Sequence, residues 1–268
     1  MRTPSRVVVL AVLAVAAPLV ACGAGKREYG TGILQYSENA RRAYEDALVA
    51  FKDKDWQEAT TLLRDVRRRF AFSAYAPLAQ LRLADVEFAQ EKWAESIPAY
   101  KAFIRENPKH PDIAWAKMRI ARSFFNQISD AFLLPAQETR DQSAVVEASR
   151  EIDEYLTTFP GGPQYGEMKE LSADAKARLV AHELYVARFY MKKDKLEAAL
   201  ARATYAVTHY HGSRRDAEAL VVQGEILLML KRRVEARQTF ESVVQRYAGD
   251  PRVIQAKNFL AKLDADEH

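Results

Sequence analysis

The sequence predicts an all-α protein in which about five pairs of helices stack into a solenoid. A Glu-Ala or Glu-Ser dipeptide recurs five times, and apolar or aromatic residues tend to follow seven and eleven positions after its small residue. Those spacings return to one face of an α-helix. No segment of useful length shows the two-residue period of a β-strand. The small residues are Ala59, Ser96, Ala148, Ala198 and Ala236.

Each of these helices follows a polar turn and an earlier amphipathic segment, so the repeating unit is a helix pair. The small residue lets the two helices approach closely, and Trp56 and Trp93 lie three positions before it, where they cover the apolar seam at the turn. Proline follows the ends of several units, as at Pro108, Pro160 and Pro251, where it cannot continue a helix. A helix pair with a period of about 34 residues is the tetratricopeptide (TPR) pattern.

The five copies are 37, 52, 50 and 38 residues apart, so the middle of the chain carries extra length. The segment from Gln127 to Ser143 contains Pro135 and a charge cluster, and we expect a loop there. The segment from Tyr165 to Met191 has no proline or glycine after Gly166 and predicts one long helix joining two halves. The predicted halves are repeats 1–3 at 37–160 and repeats 4–5 at 161–268.

The first 21 residues have the features of an export signal. Arg2 and Arg6 precede an apolar run of 11 residues, which is too short to span a bilayer. Leu19-Val20-Ala21-Cys22 resembles the bacterial lipobox, in which the cysteine is acylated and becomes the mature N-terminus. The alternative is an ordinary secretory signal with an incidental cysteine. We therefore predict a signal peptide at 1–21, lipidation of Cys22 and a tether at 22–36.

Cys22 is the only cysteine, so the mature fold has no internal disulfide and must rely on its core. Several acyl chains on one residue would give lasting attachment, since each buried methylene contributes about 0.8 kcal/mol. Residue 23 is Gly, whereas Asp there resembles an inner-membrane retention signal. We therefore expect a protein anchored by diacylglycerol and an N-acyl lipid at the periplasmic face of the outer membrane.

The sequence offers no catalytic constellation, and we predict a protein that is not an enzyme. His209 and His211 form the one histidine cluster, and a helix end explains them better than a metal site. The formal charge of +4 includes Arg2 and Arg6, and the Arg67–Arg69 run is splayed around a helix, so nucleic acid is not an expected partner. We predict no metal and no cofactor beyond the covalent lipid.

Solenoids of this kind bind peptides on their concave face. Four aromatic residues cluster around the first two repeats and are candidates for peptide binding. The alternative is that these rings pack between repeats. They are Phe70, Phe72, Tyr75 and Tyr100.

Two motifs make the chain resemble the BamD family of outer-membrane assembly lipoproteins. The segment from Arg69 to Tyr75 is similar to that family's Arg-aromatic-x-Phe-x-x-Tyr connector, and the segment from Phe103 to Pro111 is similar to its Phe-Ile-Arg-x-Asn-Pro-x-His-Pro turn. The resemblance covers nearly the whole mature chain. It departs in the third-repeat insertion and at His209–His211, where the family has Tyr-Pro.

The resemblance implies that the N-terminal repeats bind the C-terminal signal of unfolded outer-membrane proteins. It also implies that the C-terminal repeats dock on a POTRA domain of the barrel subunit, next to other assembly lipoproteins. Arg202 matches a family arginine at that docking surface; its alternative role is that of an ordinary exposed arginine. The competing function is a TPR scaffold for another envelope apparatus, such as a secretin pilotin or a cell-division coordinator.

Overall fold

The computed structural model describes residues 29–128 and 135–265. Within these ranges the regular structure is helical, with one 3-10 turn at Gln137–Thr139, so the predicted all-α fold is confirmed. The predicted signal peptide and Cys22 lie outside the described residues. The helices are α1 (Tyr29–Lys52), α2 (Trp56–Arg69), α3 (Tyr75–Ala89), α4 (Trp93–Glu106), α5 (Ile113–Asn126), α6 (Ser143–Thr158), α7 (Tyr165–Lys192), α8 (Leu196–His209), α9 (Asp216–Met229), α10 (Arg233–Arg246) and α11 (Arg252–Ala265).

The helices form five consecutive pairs followed by the single helix α11. Each helix packs on its neighbours in sequence, and each odd-numbered helix also contacts the next odd-numbered one. Among the described residues, the even-numbered helices contact only the odd-numbered helices on either side. The odd-numbered helices therefore form the more closely spaced layer, which is the inner, concave layer of a TPR-type solenoid.

The small residue of each second helix lies fully buried in the seam of its pair. The residues four and seven positions later share the same face and are also buried, because these spacings repeat along one side of a helix. In the fourth repeat the prediction was one residue out of register. The buried seam residue there is Ala199, with Ala203 and Ala206, while Tyr205 points outward with 40% of its surface exposed. The five seam residues are Ala59, Ser96, Ala148, Ala199 and Ala236, each 0% exposed.

A tight turn of one recurring form joins the two helices of four repeats. Its central residue has a left-handed backbone, as at Lys54 with φ 60° and Asp194 with φ 56°. The amide that follows donates to a carbonyl five residues back, as from Asp55 to Ala50 at 3.0 Å, which is a common end for a helix. The third repeat has its long insertion at this position instead, so the predicted loop between α5 and α6 is confirmed for the described residues.

The predicted tether overlaps the first helix. α1 begins at Tyr29, so the last part of the segment predicted as a tether, 22–36, is helical. The buried stripe of α1 begins after this segment, with Ala40, Tyr44 and Ala47. The extra turns of α1 precede the part of the helix that packs against α2.

The predicted long helix is confirmed as α7, which has 28 residues where its neighbours have 14 to 16. Its first half packs on α6, where Met168 and Ala175 cover Ile152 and Tyr155. Its second half packs on α8, where Val180, Leu184 and Ala187 meet the alanine seam. The third and fourth repeats therefore pack on successive segments of the same helix.

We find no helix among the described residues that has both the length and the apolar character needed to cross a membrane.

Candidate protein-binding surfaces

The connector between the first two repeats is a compact turn held by its own polar groups. α2 ends at Arg69, and the Ser73 hydroxyl donates to the Phe70 carbonyl at 2.8 Å and accepts from the Tyr75 amide at 3.2 Å. Tyr36 of α1 donates to the Arg69 carbonyl at 3.5 Å and accepts from the Phe72 amide at 3.4 Å. The turn fixes which of its aromatic rings face the solvent.

The four aromatic candidates do not form one surface. Phe72 is 98% exposed, whereas Tyr100 is 0% exposed and Phe70 is 7% exposed. Phe70 packs edge-on against Tyr36 with ring centroids 5.3 Å apart, and the half-buried Tyr75 lies against Tyr44 at 5.6 Å. The prediction of a peptide contact is corrected for Tyr100 and Phe70, whose surfaces are used in packing between helices. Phe72 and the exposed part of Tyr75 stay as candidates.

Tyr100 is part of a buried polar cluster that sequence reasoning missed. Its hydroxyl donates to Asp85 Oδ1 at 2.6 Å, and Trp115 Nε1 donates to the same oxygen at 3.2 Å. Arg82 binds the other carboxylate oxygen of Asp85, whose side chain is 5% exposed. Burial and the nearby Asp85 charge raise the pKa of Tyr100 above its usual range, so the phenol stays protonated. An Asp within the apolar stripe of α3 was the sequence signal for this cluster.

The second motif is a structural turn between α4 and α5. Asn107 donates through Nδ2 to Gln80 Oε1 at 2.9 Å and to the Phe103 carbonyl at 3.0 Å. His110 packs edge-on against Phe103 at 5.1 Å and accepts from the Asp112 amide at 3.2 Å. The turn therefore needs Asn, His and Phe at these positions of the motif, because each of them makes a contact that holds the turn together.

Arg202 lies on the outer layer of the solenoid, on α8. Its Nη1 is 3.4 Å from Oε2 of Glu183 on α7, and the side chains are 47% and 9% exposed respectively. A guanidinium has five N–H donors in a planar fork, so one bond to Glu183 leaves donors for a second carboxylate. The buried Glu183 therefore orients an exposed arginine.

Exposed aromatic side chains lie near Arg202 on α8 and along α7. Tyr205 is 40% exposed and stacks on His209 with ring centroids 3.9 Å apart. Tyr185 and Phe189, one helical turn apart on α7, are 46% and 51% exposed. Tyr210 takes the helix-ending position in the corrected register, and burial together with a hydrogen bond to Tyr205 raises its pKa to about 12. Tyr205 lies seven positions after Ala198, so the register error placed it on the buried face of the helix.

The third-repeat insertion folds back on α7. Nδ1 of His182 is 2.8 Å from the carbonyl oxygen of Glu138 in the 3-10 turn. Asp141 accepts from the Ser143 amide at 3.1 Å and from its hydroxyl at 2.6 Å, and these bonds lower the pKa of Asp141. Arg140 and Asp141 therefore lie just before α6, and Asp141 accepts two hydrogen bonds from Ser143, the first residue of that helix.

The family of the chain is identified by its similarity to known proteins. A family model described as "YfiO: Outer membrane lipoprotein" matches residues 37–243. The chain is 25% identical over 255 residues to the "Outer membrane protein assembly factor BamD" of Caulobacter vibrioides, covering 94% of this chain and 80% of that relative. It is 27% identical over 195 residues to the protein of the same name from Neisseria gonorrhoeae, covering 69% of this chain and 70% of that relative.

Among solved structures, the chain matches the "TPR2AB-domain:pHSP90-complex of yeast Sti1" at 9% identity with a TM-score of 0.39, over 85% of this chain and 99% of that one. A superposition this loose carries no argument. The family match spans most of the chain, including both halves of the solenoid. The chain therefore belongs to the YfiO family of outer membrane lipoproteins, the family of the BamD assembly factors.

Proposed function

We propose that this chain is a non-enzymatic lipoprotein of the β-barrel assembly machinery, held at the periplasmic face of the outer membrane by acylated Cys22. Its first repeats bind the C-terminal signal of unfolded outer-membrane proteins, and its last repeats dock on a POTRA domain of the barrel subunit. Membership in a family of outer-membrane assembly factors supports the role in assembly.

The observation that carries the docking proposal is the exposed guanidinium of Arg202, oriented by Glu183 at 3.4 Å. A bidentate bond to a carboxylate of the POTRA domain would use donors that Glu183 does not occupy. Tyr205 on the same helix adds exposed aromatic surface. Arginine and tyrosine are the residue types that most often dominate the energy of protein interfaces.

The signal site is proposed at the connector after the first repeat. Phe72 exposes 98% of its surface on a turn whose backbone is held by hydrogen bonds of Ser73 and Tyr36. An exposed aromatic ring on such a turn can stack on an aromatic side chain of an extended peptide without the entropy cost of ordering the backbone. The half-buried Tyr75 would form the edge of the same site.

The test is a pull-down of the tagged chain from detergent-solubilised envelopes. The docking variant combines Arg202→Gln with Glu183→Gln, because removing Arg202 alone would leave a buried carboxylate without its partner. The matched control combines Lys117→Gln with Glu154→Gln, which removes an ion pair of 2.7 Å between α5 and α6. A third arm carries Phe72→Ser, and a fourth, Cys22→Ser, is checked for release from the membrane.

We expect the wild type and the control to recover a barrel protein with POTRA domains together with other assembly lipoproteins. The docking variant should recover about tenfold less of the barrel subunit, as the loss of a charge-assisted interface contact predicts. Phe72→Ser should reduce only the unfolded outer-membrane proteins. Recovery of a secretin or of division proteins in place of the barrel subunit would refute the proposed function.

A further inference from the structure

The first two turns of α1 extend past the helix pair to which they belong. α1 and α2 run antiparallel, and the end of α2 lies beside Tyr36, whose hydroxyl contacts the Arg69 carbonyl. The packed part of α1 is the part after Tyr36, where Ala40, Tyr44 and Ala47 are buried. Residues 32–35 all lie exposed beyond the end of α2.

Two large aliphatic side chains lie in this projecting segment, which we name the α1 tip (residues 29–35). Ile33 is 67% exposed and Leu34 is 71% exposed. Ile33 continues the apolar stripe of Ala40 and Tyr44, and Leu34 points about 100° away around the helix. Within the described residues neither side chain is covered, so the α1 tip presents an apolar surface wider than a single stripe.

Three arginine residues lie at the same end of the helix pair. The last turn of α2 carries Arg67, Arg68 and Arg69, with side chains 42%, 80% and 63% exposed. Within the described residues their ion pairs are with two carboxylates, Asp65 and Glu106, so this cluster has three guanidinium groups and two carboxylates. Apolar side chains bordered by basic ones are typical of segments that lie in a membrane interface.

The sequence also limits how far the α1 tip can be from the proposed anchor. Seven residue steps separate Cys22 from Tyr29, and a chain of that length spans at most about 25 Å. If Cys22 is acylated, as the proposed function holds, the α1 tip is confined to the neighbourhood of the lipid surface. A confined apolar segment reaches that surface without the loss of translational freedom that a free one would incur.

We propose that the α1 tip is a second, non-covalent membrane contact. Ile33 and Leu34 enter the boundary between headgroups and acyl chains, and Arg67, Arg68 and Arg69 face anionic headgroups. A contact at this point would fix the orientation of the solenoid relative to the bilayer, which a single point of lipid attachment does not do.

The test measures binding of the mature chain carrying Cys22→Ser to vesicles of phosphatidylethanolamine and phosphatidylglycerol, by co-sedimentation. Because this chain has no acyl group, the result does not depend on lipidation or on the assembly machinery. The test variant combines Ile33→Ser with Leu34→Ser. The matched control is Val49→Ser, at an aliphatic residue of the same helix that is 58% exposed at the other end.

We expect the double variant to bind about tenfold more weakly than its parent, because the insertion of apolar side chains drives such binding. Val49→Ser should bind like the parent, and added salt should weaken binding to the anionic vesicles. Helix content by circular dichroism should be equal in all three chains. The proposal is overturned if the parent does not bind vesicles, or if the double variant binds as well as the parent. The same chains are also mixed with a labelled peptide that ends in alternating aromatic residues. The proposal is overturned if the double variant loses binding of this peptide but keeps binding to vesicles, because the α1 tip would then be part of the signal site.

Discussion

The second and fourth repeats place very different residues at equivalent positions of their second helices. Four and seven positions after the seam residue, the second repeat has Tyr100 and Phe103, and the fourth has Ala203 and Ala206. All four are at most 1% exposed. The distance between two packed helices depends on the side chains at their contact, so the same architecture accommodates both. The helical spacing of the buried positions determines the fold, and the volume at each position is adjusted locally.

The two kinds of seam should fail in different ways. The large rings of the second repeat leave room for polar groups among them. The Asp85 carboxylate lies between these rings and accepts hydrogen bonds from Tyr100 and Trp115. In the fourth repeat the alanine side chains pack directly on Val180, Leu184 and Ala187 of α7, and small side chains at such a contact allow two helices to pack closely. We therefore expect the second repeat to be destabilised by substitutions that remove a polar group. The fourth repeat should be destabilised by substitutions that enlarge a seam side chain.

The largest effect is expected for Asp85→Ala in the second repeat. Its removal leaves the Tyr100 hydroxyl, the Trp115 indole N–H and the Arg82 guanidinium without their shared acceptor, which should lower the free energy of unfolding by about 3–5 kcal/mol. Urea unfolding followed by circular dichroism and tryptophan fluorescence measures it. Asp46→Ala, at an exposed carboxylate on α1, is the control. A loss below about 1 kcal/mol would show that this cluster is not needed for stability.

Ala203→Leu in the fourth repeat should have the next largest effect. The added carbons would meet α7, and overpacking of this kind costs about 1–3 kcal/mol. Ala201→Leu, on the same helix but exposed, should change the free energy of unfolding by less than about 0.5 kcal/mol. Differential scanning calorimetry of both variants distinguishes the two positions. Equal melting temperatures would mean that the alanine seam has spare room.

The smallest effect concerns pH and the arginine contacts of α9. Burial acts to raise the pKa of Glu218, but Arg188, Arg215 and Arg252 outweigh it and lower the pKa below its model-peptide value of 4.5. A lowered pKa contributes stability that is present above 4.5 and is lost as the pH falls through the lowered value. We expect Glu218→Gln to flatten the decline of the melting temperature in acid.

The same helix provides the control for this measurement. Burial raises the pKa of Glu225, so its ionisation opposes folding and its contribution has the opposite sign. Glu225→Gln should therefore steepen the overall decline of stability in acid. Melting temperatures recorded from neutral pH down to about pH 3 test both variants. Equal slopes in the two variants would contradict the assigned causes.

The helix pairs, the long α7 and the inserted loop could all be predicted from the sequence, because periodicity, proline and glycine act locally. The register of the fourth repeat could not. Its second helix reads Leu-Glu-Ala-Ala-Leu-Ala-Arg-Ala from Leu196, and with alanine on several faces no contrast in size marks the seam. The sequence therefore does not distinguish Ala198 from Ala199 as the seam residue. The structure does, because Ala199 is buried and Tyr210, eleven positions later, packs against the same cluster.

The candidate sites were predictable only in part, since exposure depends on contacts far apart in the chain. Tyr100 and Phe72 are both aromatic residues of the first two repeats, but Tyr100 is covered by residues of α3 and α5 and Phe72 by none in the described part of the chain. The orientation of Arg202 depends on Glu183, which lies 19 residues earlier on another helix. Neither relation is visible in local sequence patterns.

The shared helix α7 determines how the protein can be divided into fragments. The chain was predicted to separate at 160, but Ile152 and Tyr155 are covered by Met168 and Ala175 beyond that point. A fragment that ends at 160 would expose the last apolar seam of its third repeat and lose the bond of 3.1 Å between Lys176 and Asp153. One that continues through Lys176 keeps both. The N-terminal unit therefore ends inside a helix, and each half, if expressed alone, must carry its own half of α7.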